Sequence, residues 1–320
     1  MLKTAFVLAF GVSGFANSYG ADKPDAKPPE PGLVVHADPS AMIPNGVEFR
    51  RDVAFLPPDR AEKLDLYLPK NRPAGTRSPA IVIIHGGAWK GGNKSAGREI
   101  DSGTTFALAG YVCASVEYDK VPGNWPRNLL DCKNAVRFLR AHAGELGVDG
   151  AHIGVIGGSA GGHLALMVAF TPHVAELEPS APYPAVPDHV SACVNMYGPA
   201  DLFLQQGVKE AVREGDKKLE MFDPKVTDLS ALWRLASPVH HVCKDSPPVL
   251  ILQGAKDVIV KPEQATLLDA KLSELRVEHQ TVLIPETPHT FTLHSVKTMD
   301  IATLTVAFFD KHLKPKAKKP

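Results

Sequence analysis

The sequence is poor in cysteine and in net charge, and each shortage excludes a class of protein. Its four cysteines, Cys113, Cys132, Cys193 and Cys243, are widely spaced and form no CxxC pair, which argues against a zinc site or a disulfide scaffold. A disulfide among them stays open in an oxidising compartment. Lysine plus arginine total 35, as do aspartate plus glutamate, so no overall field attracts nucleic acid. We therefore predict neither a bound metal nor a nucleic-acid partner.

Long apolar runs are also missing. None reaches the roughly 20 residues that cross a bilayer, so stable membrane insertion is not predicted. The N-terminal MLKTAFVLAFGVSGFANSYGA has Lys3, a short apolar run at residues 5–15 and small residues up to residue 21, an order typical of a secretory signal peptide. We predict that residues 1–21 are removed and that the mature chain is secreted or periplasmic. An N-terminal anchor or a buried helix is the alternative.

Composition divides the rest of the chain into three segments. Proline, lysine and aspartate in ADKPDAKPPEPG predict a flexible linker over residues 22–45, and KPKAKKP predicts a basic tail over residues 314–320. The chain of 320 residues is 44% hydrophobic, which is enough to bury one sizeable core. Residues 46–313 are therefore predicted to form a single domain.

Short apolar runs alternate with helical patterns along this domain. Residues 46–68 contain VEFRRDVAF and EKLDLYL, which predict two antiparallel strands. The later strand patterns are AIVII, YVCASVEY, HIGVIG, VSACVNMYG, PPVLILQG and HQTVLIP, and helical patterns lie near residues 104–109, 128–142, 162–170, 261–275 and 300–312. Such alternation predicts an α/β fold with a mostly parallel central sheet and helices on both faces. Residues 201–235 are interpreted either as a small helical cap over the site or as a surface excursion.

A serine flanked by glycines marks the candidate nucleophile. The pentapeptide GGSAG at residues 157–161 directly follows the strand pattern HIGVI and is followed, after Gly162, by the helical pattern HLALMVAF. This is the context of a nucleophile elbow, a tight strand-to-helix turn that exposes a serine Oγ to substrate. A dinucleotide-binding turn is the rival, but Ser159 stands where G-x-G-x-x-G needs its second glycine. Ser159 is therefore predicted to be the catalytic nucleophile.

A second glycine-rich motif predicts the group that binds the negative charge developed in acyl transfer. HGGAW at residues 85–89 directly follows the strand pattern AIVII, which is the position of an HGGG-type oxyanion loop. The predicted donors are the backbone N–H groups of Gly86, Gly87 and Ala88, together with that of Ala160. His85 precedes the serine in the chain and is expected to brace its own loop rather than to act as the base.

The acid and the base are expected after the serine, because proteins with this elbow order their triad serine, acid, histidine. Asp257 lies just after the strand pattern PPVLILQG, and His289 lies just after HQTVLIP. Loops at the ends of strands can bring both side chains to Ser159. His289 would then take the Oγ proton, while Asp257 would fix the imidazole tautomer.

Rival residues stay open for both roles. His294 is close to His289 along the chain, and the adjacent His240 and His241 precede the last two strands. Asp245 is the alternative acid, but it lies before its strand, at the wrong end for catalysis. Position relative to the strand ends favours Asp257 as the acid and His289 as the base.

These motifs occur in a familiar order over residues 47–312. HGGAW, WP, DCKNAVRFLRAHA, GGSAGGHLAL, NMYGPADL, ASPVHHV, PPVLILQGAKD and PHTF together resemble α/β-hydrolase esterases of the hormone-sensitive-lipase kind, and among them the branch with acetylxylan and feruloyl esterases. The resemblance implies the α/β-hydrolase fold and a serine carboxylic ester hydrolase without a cofactor. It places the nucleophile, acid and base at Ser159, Asp257 and His289. It also implies a small-molecule or glycan ester as substrate, with a short acyl group.

The chain departs from the family pattern beside the triad. Ala88 replaces the usual third glycine of the oxyanion loop, which keeps the N–H and adds a methyl group that would narrow the acyl pocket. QGAKD stands for HGxxD, PHTF for GHGF and EYD for DYR, so contacts to the substrate are not inherited. Trp89 is expected either to bind substrate as an apolar or sugar-stacking wall or to pack in the core.

Two other functions remain as alternatives to ester hydrolysis. The same fold hosts serine peptidases, although the HGGAW loop and the lack of a propeller-like domain favour an esterase. The second alternative is a noncatalytic binding protein on a hydrolase scaffold. Such proteins usually lose a triad residue, whereas this chain keeps all three predicted positions.

Overall fold

A mostly parallel sheet organises the chain. The computed structural model describes residues 38–73, 75–207 and 219–314. Within them lies an eight-stranded sheet of order β1-β2-β4-β3-β5-β6-β7-β8. Its strands are β1 (Val47–Val53), β2 (Leu64–Pro69), β3 (Ser78–Ile84), β4 (Val112–Val116), β5 (Val148–Gly158), β6 (Ala192–Met196), β7 (Val249–Gly254) and β8 (His279–Ile284). β2 runs antiparallel to β1 and β4, and every pair from β4 to β8 is parallel.

Helices cover both faces of this sheet. They are α1 (Gly97–Leu108), α2 (Arg127–Ala141), α3 (Ala143–Leu146), α4 (Ala160–Phe170), α5 (Leu202–Gln206), α6 (Leu229–Leu235), α7 (Glu263–Glu274) and α8 (Ile301–Leu313). Each of the five predicted helical segments coincides with one of them, but α1 begins earlier than the predicted residue 104. Its first turn buries Arg98 and Glu99, and buried charges conceal the apolar periodicity by which a helix is recognised. Within the described ranges, no helix is both long enough and apolar enough to cross a membrane.

Apolar side chains on both faces of the central strands form the core. In β3, Ala80, Val82 and Ile84 belong to the cluster under α2, α4 and α7. Ile81 and Ile83 belong to the cluster under α1 and α8. Because successive side chains of a strand point to opposite faces, a strand covered on both sides is apolar at every position. This explains the unbroken AIVII pattern and confirms the predicted α/β architecture.

Three of the four cysteines contribute to this core, and none of the four forms a cross-link. Cys113, Cys132 and Cys193 are buried free thiols, and Cys243 is an exposed one. Cys113 lies in β4 and Cys193 in β6, where a thiol behaves as a small apolar side chain.

Residues before the predicted domain boundary at residue 46 pack with the fold. A 3-10 turn at Pro39–Met42 is capped by the carboxylate of Asp38, and Ile43 packs against the core. The end of the linker predicted over residues 22–45 is therefore part of the fold. The prediction missed this because the proline-rich composition conceals the short apolar residues that pack. The signal peptide predicted at residues 1–21, the rest of that linker and the tail beyond residue 314 lie outside the described residues.

The segment between β6 and β7 lies at the carboxyl edge of the sheet. Its helices α5 and α6 are capped by Asp201 and Asp228, whose carboxylates accept hydrogen bonds from N–H groups of the first turn. The carbonyl of Met221 accepts a hydrogen bond from the N–H of Trp125 at 2.9 Å, and Phe222 packs edge-on against the Trp125 ring. These contacts to the loop after β4 favour the cap interpretation of residues 201–235, of which residues 208–218 lie outside the described ones.

Candidate active site

Ser159 lies on a tight turn between β5 and α4. Its backbone has a φ of 56° and a ψ of −123°, a strained conformation for any residue but glycine. A methyl group at Gly157 would lie 2.2 Å from the carbonyl oxygen of Gly161, and one at Gly161 would lie 2.1 Å from that of Ile84. Both positions therefore require glycine. The N–H of Ser159 donates to the carbonyl of Met196 on β6 at 2.9 Å, which ties the turn to the sheet.

The side chains of Ser159, His289 and Asp257 form one hydrogen-bonded line. Ser159 Oγ lies 2.9 Å from His289 Nε2, and His289 Nδ1 lies 2.7 Å from Asp257 Oδ2. The three residues follow β5, β8 and β7, whose carboxyl ends share one edge of the sheet. When Nδ1 donates to the carboxylate, Nε2 is left to accept the serine proton. The structure thus brings together the three side chains that the sequence analysis singled out.

Four hydrogen bonds fix the orientation of Asp257. Oδ1 accepts from the backbone N–H groups of Ile259 and Val260, each at 2.9 Å. Oδ2 accepts from Gln253 Nε2 at 3.1 Å as well as from His289. Gln253 is the residue by which QGAKD departs from the family pattern. Its amide also donates to the carbonyl of Val260 at 2.9 Å, so this substitution supplies an additional constraint on the acid.

Backbone N–H groups beside Ser159 have the arrangement of an anion-binding site. Among the described residues, no protein acceptor takes a hydrogen bond from the N–H of Gly87, Ala88 or Ala160. A methyl group at Gly86 would lie 3.3 Å from Ser159 Cβ, so the loop directly adjoins the nucleophile. The φ angles of Gly87 and Ala88 are 123° and 53°, a left-handed backbone that is uncommon outside glycine. Free N–H groups beside a nucleophile can bind a developing oxyanion.

His85 braces this loop from the buried side. Its Nε2 lies 3.1 Å from a carboxylate oxygen of Glu117, and its ring stacks on Tyr118 at a centroid distance of 4.1 Å. The hydroxyl of Tyr118 donates to the carbonyl of His85 at 3.1 Å. Although burial raises the pKa of Glu117, hydrogen bonds from His85 and Lys120 hold it at about 2. The bracing role expected of His85 therefore has a geometric basis.

Trp89 is anchored in the core rather than open to substrate. It is 9% exposed, and its indole N–H donates to His163 Nδ1 at 3.2 Å. His163 Nε2 therefore carries the ring proton and donates to the carbonyl of Ala236 at 2.7 Å. His163 thus links the oxyanion loop, α4 and the segment after α6. Of the two roles expected of Trp89, the contacts favour packing over a substrate wall.

Replacing His163 by glutamine should remove a pH-dependent part of the stability. Burial lowers the pKa of His163 from 6.5 to about 4, against the opposing effect of the bond to Ala236. The folded state then binds fewer protons than the unfolded state between these values, so the free energy of unfolding rises with pH across that window. The contribution of His163 to the free energy of unfolding is complete above the pKa of histidine in the unfolded chain, and it is lost as the pH falls toward 4.

Between pH 7 and pH 5, the wild type should therefore lose about 2 kcal/mol more stability than His163→Gln. Urea unfolding of both proteins at the two pH values measures this difference. The exposed His173 offers a matched control, and His173→Gln should lose as much as the wild type. Equal losses in the wild type and His163→Gln would contradict a buried neutral imidazole.

The rival residues lie away from the Ser159 line. His294 is exposed and forms a hydrogen bond with α1. His241 Nε2 donates to the carbonyl of Leu235 at 2.7 Å, and His240 packs against an aromatic side chain of α5. Asp245 is exposed on the turn before β7. The geometry favours the assignment of base and acid made from strand-end position.

This arrangement is suited to acyl transfer through a covalent intermediate, because it combines a serine hydroxyl, an imidazole, a carboxylate and free amides. Sequence reasoning missed His163 and Gln253 as supports of the site. His163 stands within GGSAGGHLAL and Gln253 within QGAKD, so their nearness to the motifs was the available signal. Their partners lie elsewhere in the chain and could not be read from it.

The chain matches the family model described as BD-FAE over residues 64–272. Among curated relatives, the probable carboxylic ester hydrolase LipM of Mycobacterium tuberculosis is 31% identical over 246 residues, which cover 76% of this chain and 55% of LipM. The chain spans about half the length of the curated relatives it matches.

Solved structures show the same architecture. A truncated carbohydrate esterase from gut microbiota has 26% identity and a TM-score of 0.70, with 82% of this chain and 95% of that chain covered. A thermophilic esterase from the Planctomycetes species Thermogutta terrifontis, with butyrate bound, has 25% identity and a TM-score of 0.69, with 85% and 97% covered. These similarities agree with the predicted α/β-hydrolase fold.

Proposed function

We propose that this chain, which belongs to the BD-FAE family, is a serine carboxylic ester hydrolase that works through an acyl-enzyme. The observation that carries the proposal is the line from Ser159 Oγ through His289 to Asp257, with hydrogen bonds of 2.9 and 2.7 Å. The esterases among its relatives and structural neighbours support the same reaction class.

In the first step, Ser159 Oγ attacks the ester carbonyl carbon while His289 Nε2 takes the hydroxyl proton. The resulting oxyanion accepts hydrogen bonds from the N–H groups of Gly87, Ala88 and Ala160, and one such donor is worth about 3 kcal/mol. The bond to the alcohol oxygen then breaks, His289 returns the proton to that oxygen, and the acyl group stays on Ser159. Water activated by His289 releases the acid and restores the serine.

Short acyl groups are the proposed acid part of the substrate. Ala88 is exposed and lies in the loop that adjoins Ser159, so its methyl group is proposed to take up space in the acyl pocket. The Thermogutta terrifontis neighbour carries bound butyrate. Across 4-nitrophenyl esters, kcat/KM should therefore be highest from acetate to butyrate and should fall at least tenfold by laurate, about 1.4 kcal/mol of lost transition-state binding.

Ala88→Gly is the matched variant for this series. It keeps the N–H group and accommodates the φ of 53° without strain, but it removes the methyl group. Its rate on long esters should rise relative to its rate on acetate. A wild-type optimum at laurate would contradict the short-acyl proposal, and an unchanged profile in Ala88→Gly would remove Ala88 as its cause.

Carbohydrates are the proposed alcohol part of the ester, in substrates such as acetylated or feruloylated carbohydrates. The support is the carbohydrate esterase among the structural neighbours, together with a sequence pattern that resembles acetylxylan and feruloyl esterases. Export by the signal peptide predicted at residues 1–21 would bring the enzyme to such polymers. The same assay, extended to acetate release from acetylated xylan and ferulate release from feruloylated arabinoxylan, tests this class. Turnover of simple esters alone would restrict the proposal to small substrates.

A fluorophosphonate probe separates an esterase from a noncatalytic protein on the same scaffold. Such a reagent reacts with a serine that an imidazole activates, so stoichiometric labelling of Ser159 is expected. Parallel rates on an ester and on the matching peptide amide separate an esterase from a peptidase. Faster amide hydrolysis would favour the peptidase.

A further inference from the structure

A buried arginine lies beside the active site and contacts several of the segments that build it. Arg98, in the first turn of α1, is 4% exposed, and its Nη2 lies 2.7 Å from a carboxylate oxygen of Glu99, which is 1% exposed. Its Nη1 donates to the hydroxyl of Tyr197 at 3.0 Å. Methyl groups at Gly86 and Gly158 would lie 3.2 and 3.0 Å from its guanidinium. The same cation therefore packs against the oxyanion loop and the nucleophile elbow.

Tyr197 extends this contact to the loop of His289. Its hydroxyl donates to the carbonyl of Phe291 at 2.8 Å. Its ring lies edge-on to the His289 and Phe291 rings, at centroid distances of 4.9 and 4.6 Å. Thr290, between those two residues, has a φ of 59°, which is rare for a β-branched residue and persists only where the surroundings impose it. The bond from Tyr197 to Phe291 is one such constraint.

Arg98 stays charged and the Tyr197 hydroxyl stays protonated in this chain of contacts. Burial disfavours the cation, but Glu99 and Tyr197 together raise the pKa of Arg98 above its ordinary value. Burial raises the pKa of Tyr197 as well, so the phenol keeps its proton. Because the guanidinium can only donate, the hydroxyl accepts from Arg98 and directs its own proton to Phe291.

Burying an ion pair can cost more solvation than the pairing returns, so the Arg98–Glu99 pair is not explained by stability alone. We propose that Arg98 and Tyr197 are positioning residues that hold His289 Nε2 in line with Ser159 Oγ, an inference that rests on the proposed esterase function. Asp257 fixes the imidazole from one side, and Tyr197 fixes the backbone that carries it. Without the hydroxyl, the loop can relax at its strained residue, and a misplacement of about 1 Å at a reacting atom can lower the rate about 100-fold.

Tyr197→Phe tests this role, because it removes both hydrogen bonds and keeps the ring against His289. For 4-nitrophenyl acetate, kcat should fall about 10- to 100-fold, while KM should stay within about twofold because the Tyr197 hydroxyl is fully buried and does not contact the ester. Counting sites by exhaustive fluorophosphonate titration expresses kcat per competent site and corrects for any unfolded protein. Arg98→Lys keeps a cation beside Glu99 but loses the planar fork, and its kcat should fall in the same way.

Tyr111→Phe is the matched control. Tyr111 is buried in the same apolar cluster, and its hydroxyl donates to Asp310 at 2.6 Å, so the variant also loses a tyrosine hydrogen bond. Its kcat should stay within about twofold of the wild type. An unchanged kcat in Tyr197→Phe, or an equal loss in Tyr111→Phe, would overturn the positioning role. A wild type that neither hydrolyses esters nor reacts with the probe would overturn the proposed function, and this inference with it.

Discussion

Ser159→Ala should lower kcat for ester hydrolysis about a millionfold, the scale of loss measured when the serine of a triad is removed. The variant has no Oγ to attack the ester carbon or to give its proton to His289 Nε2, which lies 2.9 Å away. Some acceleration over water should remain, because the amides of Gly87, Ala88 and Ala160 still bind an oxyanion. Turnover of 4-nitrophenyl acetate measures the loss of activity, and fluorophosphonate labelling measures the loss of the reactive serine.

The fold should survive this substitution. The Ser159 side chain makes no capping hydrogen bond to α4, so its removal leaves the helix start unchanged. Ser191, whose hydroxyl donates to the carbonyl of Ala151 at 3.1 Å near the start of β6, provides the control. Ser191→Ala should keep wild-type activity and labelling. Persistent labelling of Ser159→Ala would show that another residue is the nucleophile.

Asp257→Asn should lower kcat about ten-thousandfold with little change in KM. Oδ1 accepts from the N–H groups of Ile259 and Val260, so the new amide keeps its oxygen there and turns its NH2 toward His289. Both Gln253 Nε2 and His289 Nδ1 then face a donor where they had an acceptor. The imidazole must change tautomer to accept from this NH2, and Nε2 then carries a proton and cannot act as base.

Kinetics at saturating ester measure the effect, and Asp245→Asn is the control. Asp245 is the rival acid and is exposed on the turn before β7, so its substitution should leave kcat unchanged. An active Asp257→Asn, or an inactive Asp245→Asn, would reject the assignment of the acid.

Much of the active-site frame could be predicted from local pattern. The run AIVII predicts a strand buried on both faces because every position is apolar, and GGSAG predicts a turn because adjacent backbone leaves no room for larger side chains. Asp257 and His289 could be chosen because each directly follows a strand pattern, and parallel strands end at a common edge. The domain boundary near residue 46 was less accurate, since the composition of the linker conceals Pro39 and Ile43.

The supports of the site could not be predicted in this way. Arg98 and Tyr197 are separated by 99 positions and His163 and Ala236 by 73, and no periodicity relates them. Buried polar residues also interrupt the apolar patterns that identify a helix, as Arg98 does at the start of α1. For Trp89, the sequence left packing and substrate binding open, and the hydrogen bond to His163 favours packing.

The sequence by itself determined the strands, most of the helices and the tight turn at Ser159, because these depend on side-chain size and polarity within a few neighbouring residues. Only the tertiary structure decided that His289 and Asp257, rather than their rivals, lie in line with a hydroxyl 130 positions away from the imidazole. The contacts of the buried Arg98 cation with the surrounding loops are likewise visible only in the tertiary structure. Such distances follow from how the crossover connections and the core pack, and packing depends on the whole chain at once.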